Sequence, residues 1–168
     1  IHDEAIRLTR LLDDLLDLSV LENGQGSLNI ARGRIGAVID HALAAAGVEG
    51  GRAQDALQVT RGTALEATMI ATDLDRLAQV FINLIANAQK YCDAPAPRLD
   101  IRIQRVAGTV TVDFIDNGSG IPRDAQAVIF EKFSRIGEQK AGGAGLGLAI
   151  CREIMLRLGG TITYLPGQ

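Results

Sequence analysis

The sequence predicts an α+β fold: a two-layer α/β sandwich in which helices cover one face of a mixed, mostly antiparallel sheet, with a further helix at the N-terminus. Three observations lead there. Residues 98–116, RLDIRIQRVAGTVTVDFID, alternate apolar and polar on both sides of Ala107-Gly108, the pattern of a β-hairpin. Residues 73–91 hold apolar positions at helical spacing over about five turns. Strand-like and helix-like segments alternate through the remainder, with no internal repeat and no low-complexity tract.

The bulk properties agree. With 168 residues, 47% of them hydrophobic and 22% charged, the chain is long enough for one domain with a real core and a small appendage. A net charge of −3, no Trp and no long basic run exclude a nucleic-acid partner read by a basic face or a stacking platform. Cys92 and Cys151 have neither CxxC spacing nor histidines at ligand spacing, so they read as two thiols of a reducing compartment. No apolar run is long enough to span a membrane, and the opening IHDEAIRLTR is not a signal peptide. The expectation is a cytoplasmic piece of a longer chain without membrane contact of its own, compatible with a parent anchored through segments elsewhere.

Taken in order, residues 1 to about 22 read as a helix with a heptad seam of Leu8, Leu11, Leu15 and Leu18, continued by Leu21 and widened by Leu12 and Leu16. Such a helix packs on its own domain or on a partner helix. The breaker ENGQGS at 22–27 separates it from the rest of the chain and favours the partner. SLNIARGRI then reads as a strand and IGAVIDHALAAAG as a helix ending at Gly47. DALQVTRG and ATMIAT are two short strands. TDLD at 72–75 reads as a capping box for the long helix, with Thr72 as N-cap and Asp75 at the third helical position. Leu74, Leu77, Phe81, Leu84, Ile85 and Ala88 form its buried stripe. After the hairpin come a glycine turn, a loop-rich stretch to Gly145, a helix to Leu158 and a last strand, TITYL.

Three segments carry candidate chemistry. On the long helix, Asn83, Asn87 and Lys90 align at spacings of four and three. A solvated face would also be polar, but Asn is a poor helix former, and two of them four apart suit side-chain amides with work to do. One such job is Mg²⁺, which keeps waters and phosphate oxygens and needs one or two protein oxygens; Lys90 would offset phosphate charge. The second segment is DNGSGI, residues 116–121, at the end of a strand. Asp-Asn-Gly is a strong turn signal by itself. Alternatively, Asp116, held in an apolar floor, accepts a hydrogen bond from an adenine amino group and leaves a guanine carbonyl unpaired. The third is GGAGLGLAI, residues 142–150. It reads as a flexible loop before a helix or as a backbone that approaches a phosphate at a helix N-terminus. It is neither a P-loop nor a dinucleotide fingerprint, because the spacings fail.

These segments, in this order, resemble the catalytic and ATP-binding domain of sensor histidine kinases, in the Bergerat-fold superfamily shared with gyrase-type ATPases. NLIANAQKY (83–91) is similar to the N box, DNGSGI to the G1 box, IFEKFSR (129–135) to the F box and GGAGLGLAI to the G2 box. RLTRLLDDLLDLSVLENGQ resembles the end of the second dimerisation helix and its linker. The resemblance implies three parts: a dimerisation-helix end over 1–23, a linker over 24–28 and an ATP-binding catalytic domain over 29–168. It implies ATP and Mg²⁺ as cofactors, with Asn87 on the metal and Asn83 and Lys90 near the phosphates. Tyr91 would border the nucleotide and Asp116 would read the adenine. Gly118, Gly120 and Ile121 would shape the base pocket, while Gly143, Gly145, Leu146 and Gly147 would close the phosphate side. Phe130 and Phe133 would anchor a lid, or equally plug a loose segment. The implied partners are a second copy of the chain, through the N-terminal helix, and the receiver domain of a response regulator.

The chain also departs from the family pattern. His2-Asp3 is not followed by the Thr-Pro pair of a phosphoacceptor site, and His41 fits less well, so the acceptor histidine is expected upstream of residue 1. Ala144 stands where the family often has Thr or Ser, and a further strand is expected after the last residues. The resemblance implies transfer of the ATP γ-phosphoryl group to that histidine. A hydrolytic ATPase of the same superfamily is a rival, but it carries a Glu base where this chain has Asn83, and an amide cannot take a proton from water. A non-catalytic nucleotide-gated scaffold is the other rival.

Overall fold

A computed structural model of the chain describes residues 12, 15, 16, 19, 20, 27–48, 57–62, 64–131 and 147–166. Their elements run β1 (Ile30–Arg34), α1 (Ile35–Ala45), β2 (Gln58–Arg61), β3 (Met69–Asp73), α2 (Leu74–Tyr91), β4 (Arg98–Val106), β5 (Thr109–Asp116) and α3 (Gly147–Arg157). The α+β class holds. The chain divides into two compact units, Asn29–Ser119 and Gly120–Gln168 with Ile1–Leu28.

Within Asn29–Ser119 the strands form two sheets rather than the single one expected. β1 pairs antiparallel with β3, while β2 runs parallel to β4 and β4 antiparallel to β5. The turn between β2 and β3 is captured by the start of α1, where Ile35 and Gly36 donate their N–H groups to the carbonyls of Thr68 and Glu66. Two donors that a helix N-terminus leaves open are thereby satisfied by backbone. Arg61 at the end of β2 fastens the same corner, binding Asp40 and Glu66 at 2.5 Å each and the Gly36 carbonyl at 3.2 Å. The hairpin is as expected: Ala107 and Gly108 both take positive φ, 51° and 82°, between Val106 and Thr109. Two consecutive left-handed residues twist with the strands as a type I′ turn does.

The long helix starts one residue later than expected. Asp73, not Thr72, is the N-cap: its carboxylate accepts from Arg76 N at 3.2 Å and from Asn29 N at 3.1 Å. The β1–β3 ladder runs one residue further, pairing Asp73 with Ile30 and holding it extended (φ −75°, ψ 98°), so the first helical residue is Leu74. Leu77, Phe81, Ile85 and Ala88 are buried, as the stripe requires, and Ala78 and Val80 join them; Leu74 and Leu84 are half-buried. Phe81 packs on Phe114 of β5 with ring centroids 5.3 Å apart, worth about 0.5–1.5 kcal/mol beyond the area buried. Ile35, Ile39, Leu57, Ile85, Leu99 and Ile101 complete the fully buried set of this unit.

In the second unit α3 buries Ala149, Ile150, Cys151 and Ile154. It ends in a Schellman motif: Gly159 N bonds Leu156 O, Gly160 N bonds Met155 O, and Gly159 has φ 78°. TITYL forms no ladder among the described residues. Its exposure alternates as a strand's would, but alternation only marks two faces, and a strand also needs a neighbour's backbone to pair with. Leu12, Leu15, Leu16, Ser19 and Val20 are helical, with Leu12 and Leu16 well exposed. Leu8, Leu11, Leu18, Leu21 and residues 22–26 of the breaker lie outside the described residues.

Candidate functional site

The site residues of the first unit come from α2 and from the end of β5. Asn83 and Asn87 are half-buried and Lys90 and Tyr91 exposed. By helical periodicity Asn83, Asn87 and Lys90 lie on the side of α2 away from the Leu77–Phe81–Ile85 stripe, while Tyr91, fourteen residues after Leu77, falls at the edge of that stripe. Asp116 leaves β5 two residues after Phe114 and therefore on the sheet face that α2 covers. It is exposed rather than set in an apolar floor. The strand ends there, and the chain turns out into the 117–119 loop instead of closing over the carboxylate.

That loop is tied to the segment immediately after α2. Asp116 Oδ1 accepts the Gly118 N–H at 2.8 Å. A Cβ at Gly118 would lie 3.0 Å from this oxygen and 3.1 Å from Asp93 Oδ1, so the close approach suits glycine. Asp93 takes both donors of Ser119, the backbone N–H at 2.8 Å and the hydroxyl at 2.6 Å. Asn117 reaches the other way: its Oδ1 accepts from Arg98 N at 2.8 Å and from the Cys92 thiol at 3.3 Å, and its Nδ2 donates to Ala96 O at 2.9 Å. The C-terminal end of α2 and the end of β5 are thus bound side by side. Sequence reasoning missed Asp93 and Ser119 and read Asn117 only as a turn former. No local pattern encodes a bond across 26 residues.

The second unit holds Gly120, Ile121 and Gly147. Gly120 has φ 82°, and the Ile121 N–H donates to the Tyr164 hydroxyl at 3.1 Å. Gln126 Nε2 donates to the Ile121 carbonyl at 2.9 Å, closing a turn. Tyr164, also unforeseen, lies in the segment expected to be a strand. Gly147 opens α3, whose first turn has no acidic residue. Phe130 is half-buried; Gly143, Ala144, Gly145, Leu146, Phe133 and His2 lie outside the described residues, and His41 is exposed on α1. Cys92 is half-buried and Cys151 buried, both as free thiols.

As a metal site the first unit offers amide oxygens rather than a cage. Among the described residues no group of three or more His, Cys, Asp or Glu side chains could hold an ion. The donor set fits a hard cation that brings phosphate oxygens and water with it, as Mg²⁺ does. The class that this arrangement defines is a nucleotide-binding α+β domain.

Comparison with known proteins makes the class particular. Residues 72–168 match the family described as histidine kinase-, DNA gyrase B-, and HSP90-like ATPase. The probable sensor histidine kinase TcrY of Mycobacterium tuberculosis is 36% identical over 170 residues, covering 97% of this chain and 34% of that protein. Among solved structures, the Acinetobacter baumannii histidine kinase AdeS superposes with a TM-score of 0.75 at 30% identity, over 97% of this chain and 74% of that one. Full-length ShkA, solved in complex with AMPPNP, gives a TM-score of 0.73 at 26% identity, over 90% of this chain and 31% of that one. The chain belongs to this ATPase family, as the catalytic domain of its sensor histidine kinase branch. It spans about a third of the length of the curated relatives TcrY and KinB, 34% and 28%. Among the described residues no helix is long and apolar enough to cross a membrane.

Proposed function

We propose that the chain binds Mg–ATP and donates its γ-phosphoryl group to a histidine carried elsewhere in the parent protein, for relay to a response-regulator receiver domain. The observation that carries this is the tie between the end of α2 and the end of β5. It joins the strand end that carries Asp116 to the helix end that carries Tyr91 and Lys90, with Asn87 one turn and Asn83 two turns further back along the helix. From Tyr91 to Asn83 is about 12 Å of helix at 1.5 Å per residue. That distance suits a nucleoside triphosphate laid with its base at Asp116 and its phosphates along the amide face.

In this reading Asp116 accepts from the adenine amino group, Asn87 gives its amide oxygen to Mg²⁺, and Asn83 and Lys90 orient and neutralise the phosphates. Bound Mg²⁺ would supply charge neutralisation between phosphate oxygens. Gly118, Gly120 and Ile121 border the base, and Gly143, Gly145, Leu146 and Gly147 serve the phosphate end. Asn83 has no proton-accepting capacity toward water, so the domain holds ATP without hydrolysing it until a nucleophile is placed in line.

The expected outcome with γ-labelled ATP is binding without self-labelling and without appreciable phosphate release. The parent protein should become labelled in an acid-labile form, and then lose the label to a receiver domain. Stable label on His2 or His41 would sink the reading, and rapid phosphate release would establish a hydrolytic ATPase instead.

The N-terminal helix is the dimer element of this proposal, supported by the exposed Leu12, Leu15, Leu16 and Val20. Sedimentation should show association that disappears when residues 1–22 are deleted; equal association of the deleted form would refute it. A supply of ATP argues for the cytoplasmic side, which protease accessibility in intact cells expressing the parent protein would check.

A further inference from the structure

We propose that Asp93 is a positioning residue for base selection, acting through Ser119 and Gly118 on the direction in which Asp116 presents its carboxylate. The inference rests on the nucleotide-binding reading above and adds a residue outside the motifs that led to it. Asp93 stands two positions beyond the last residue of α2. Its two oxygens clasp the two donors of Ser119 at 2.8 and 2.6 Å, a bidentate, charge-assisted pair.

Two residues, Asn117 and Gly118, separate that clasp from Asp116. Asn117 is pinned by its side chain to Arg98 N and Ala96 O and by its own N–H to Arg98 O at 3.2 Å. With Asn117 and Ser119 both held, the peptide between them has little freedom, and the Gly118 N–H is aimed at Asp116 Oδ1. This bond occupies one carboxylate oxygen and fixes the rotation of the group, so Oδ2 faces one direction. A carboxylate held in this way rewards an amino group at the base position and leaves a carbonyl there unpaired. One free to rotate discriminates less. Asp93 and Ser119 are both exposed, so their bonds support no buried packing. The clasp acts on the loop's geometry, not on the core.

Calorimetry of Mg–ATP and Mg–GTP binding to the whole chain tests the proposal. Asp93→Ala should lower the ATP-to-GTP affinity ratio about five- to tenfold, the scale of one ordinary hydrogen bond. Asp93→Asn, which keeps an acceptor for the Ser119 N–H, should recover most of that ratio, and Ser119→Ala should lose less than Asp93→Ala. In an Asp116→Asn background, Asp93→Ala should cause no further loss of discrimination, because groups that act through one another are not additive. A tether with only a structural role would lower the melting temperature and leave the ratio unchanged. If wild type prefers ATP and folded Asp93→Ala keeps the same ratio, or if the losses add, the positioning role is overturned while the nucleotide reading stands. Failure of wild type to bind Mg–ATP overturns both. Should Asp93→Ala not fold, Asp93→Asn and Ser119→Ala decide by the same ratios.

Discussion

Helices α2 and α3 begin in opposite ways, and the contrast separates what each can offer chemically. The start of α2 is already supplied with negative charge: Asp73 caps it and Asp75 sits in its first turn. Its helix dipole is answered from within, so an anion gains little from the end of this helix. The first turn of α3 has no acidic residue and opens on a glycine, while Arg157 occupies its last turn. A helix start with no acidic residue in its first turn is the kind that favours an anion. The two helices therefore present different chemistry: amide side chains on α2 and backbone N–H groups at the start of α3.

Three substitutions would break or sharpen that comparison. The largest effect is expected at Asn87. Asn87→Ala should reduce Mg-dependent ATP affinity about a hundredfold, at least the upper end of what losing a group behind a metal ligand costs, with an unchanged melting temperature because the amide lies off the buried stripe. Calorimetry with and without Mg²⁺ measures it, and unchanged affinity would return the side of α2 to an ordinary polar face.

Next in size is Asp73→Ala, which removes an N-cap that also holds Asn29 N. Chemical denaturation should show a loss of about 1–2 kcal/mol, with nucleotide affinity unaltered in the folded fraction. A fall in affinity matching the fall in stability would mean that the N-terminal end of α2 serves the ligand after all.

The smallest effect belongs to α3. Among the described residues a Cβ at Gly147 meets nothing within 4 Å, so Gly147→Asp introduces charge without a clash with them. It should weaken ATP binding about two- to fivefold, the 0.3–1 kcal/mol of one charge at a helix end. Gly147→Asn should weaken it less, and added salt should narrow the gap between them. Equal affinity for both variants at low salt would exclude the start of α3 from the phosphate site.

The fold was legible where a short pattern has one structural solution. The hairpin at Ala107-Gly108, the span of α2 and its Leu77–Phe81–Ile85 stripe follow from periodicity and turn chemistry alone. The capping box was misread by one residue because both Thr72 and Asp73 can cap. The β1–β3 ladder, which continues through Asp73 opposite Ile30, decided between them by keeping Asp73 extended. TITYL failed for the opposite reason. Its alternation reports two faces, and nothing in five residues reports whether a partner strand lies alongside.

The candidate site divides along the same line. Its residue types and their order were fixed by the chain itself: two amides and a lysine at helical spacing, a carboxylate at a strand end, glycines before a helix. These depend on local geometry, which neighbouring residues set. The exposure of Asp116, the clasp of Asp93 on Ser119 and the reach of Asn117 to Ala96 and Arg98 belong to tertiary structure. They join backbone segments 19 to 26 residues apart. The clasp of Asp93 on Ser119 needs the end of α2 beside the end of β5, while the reach of Asn117 follows from the pairing of β5 with β4.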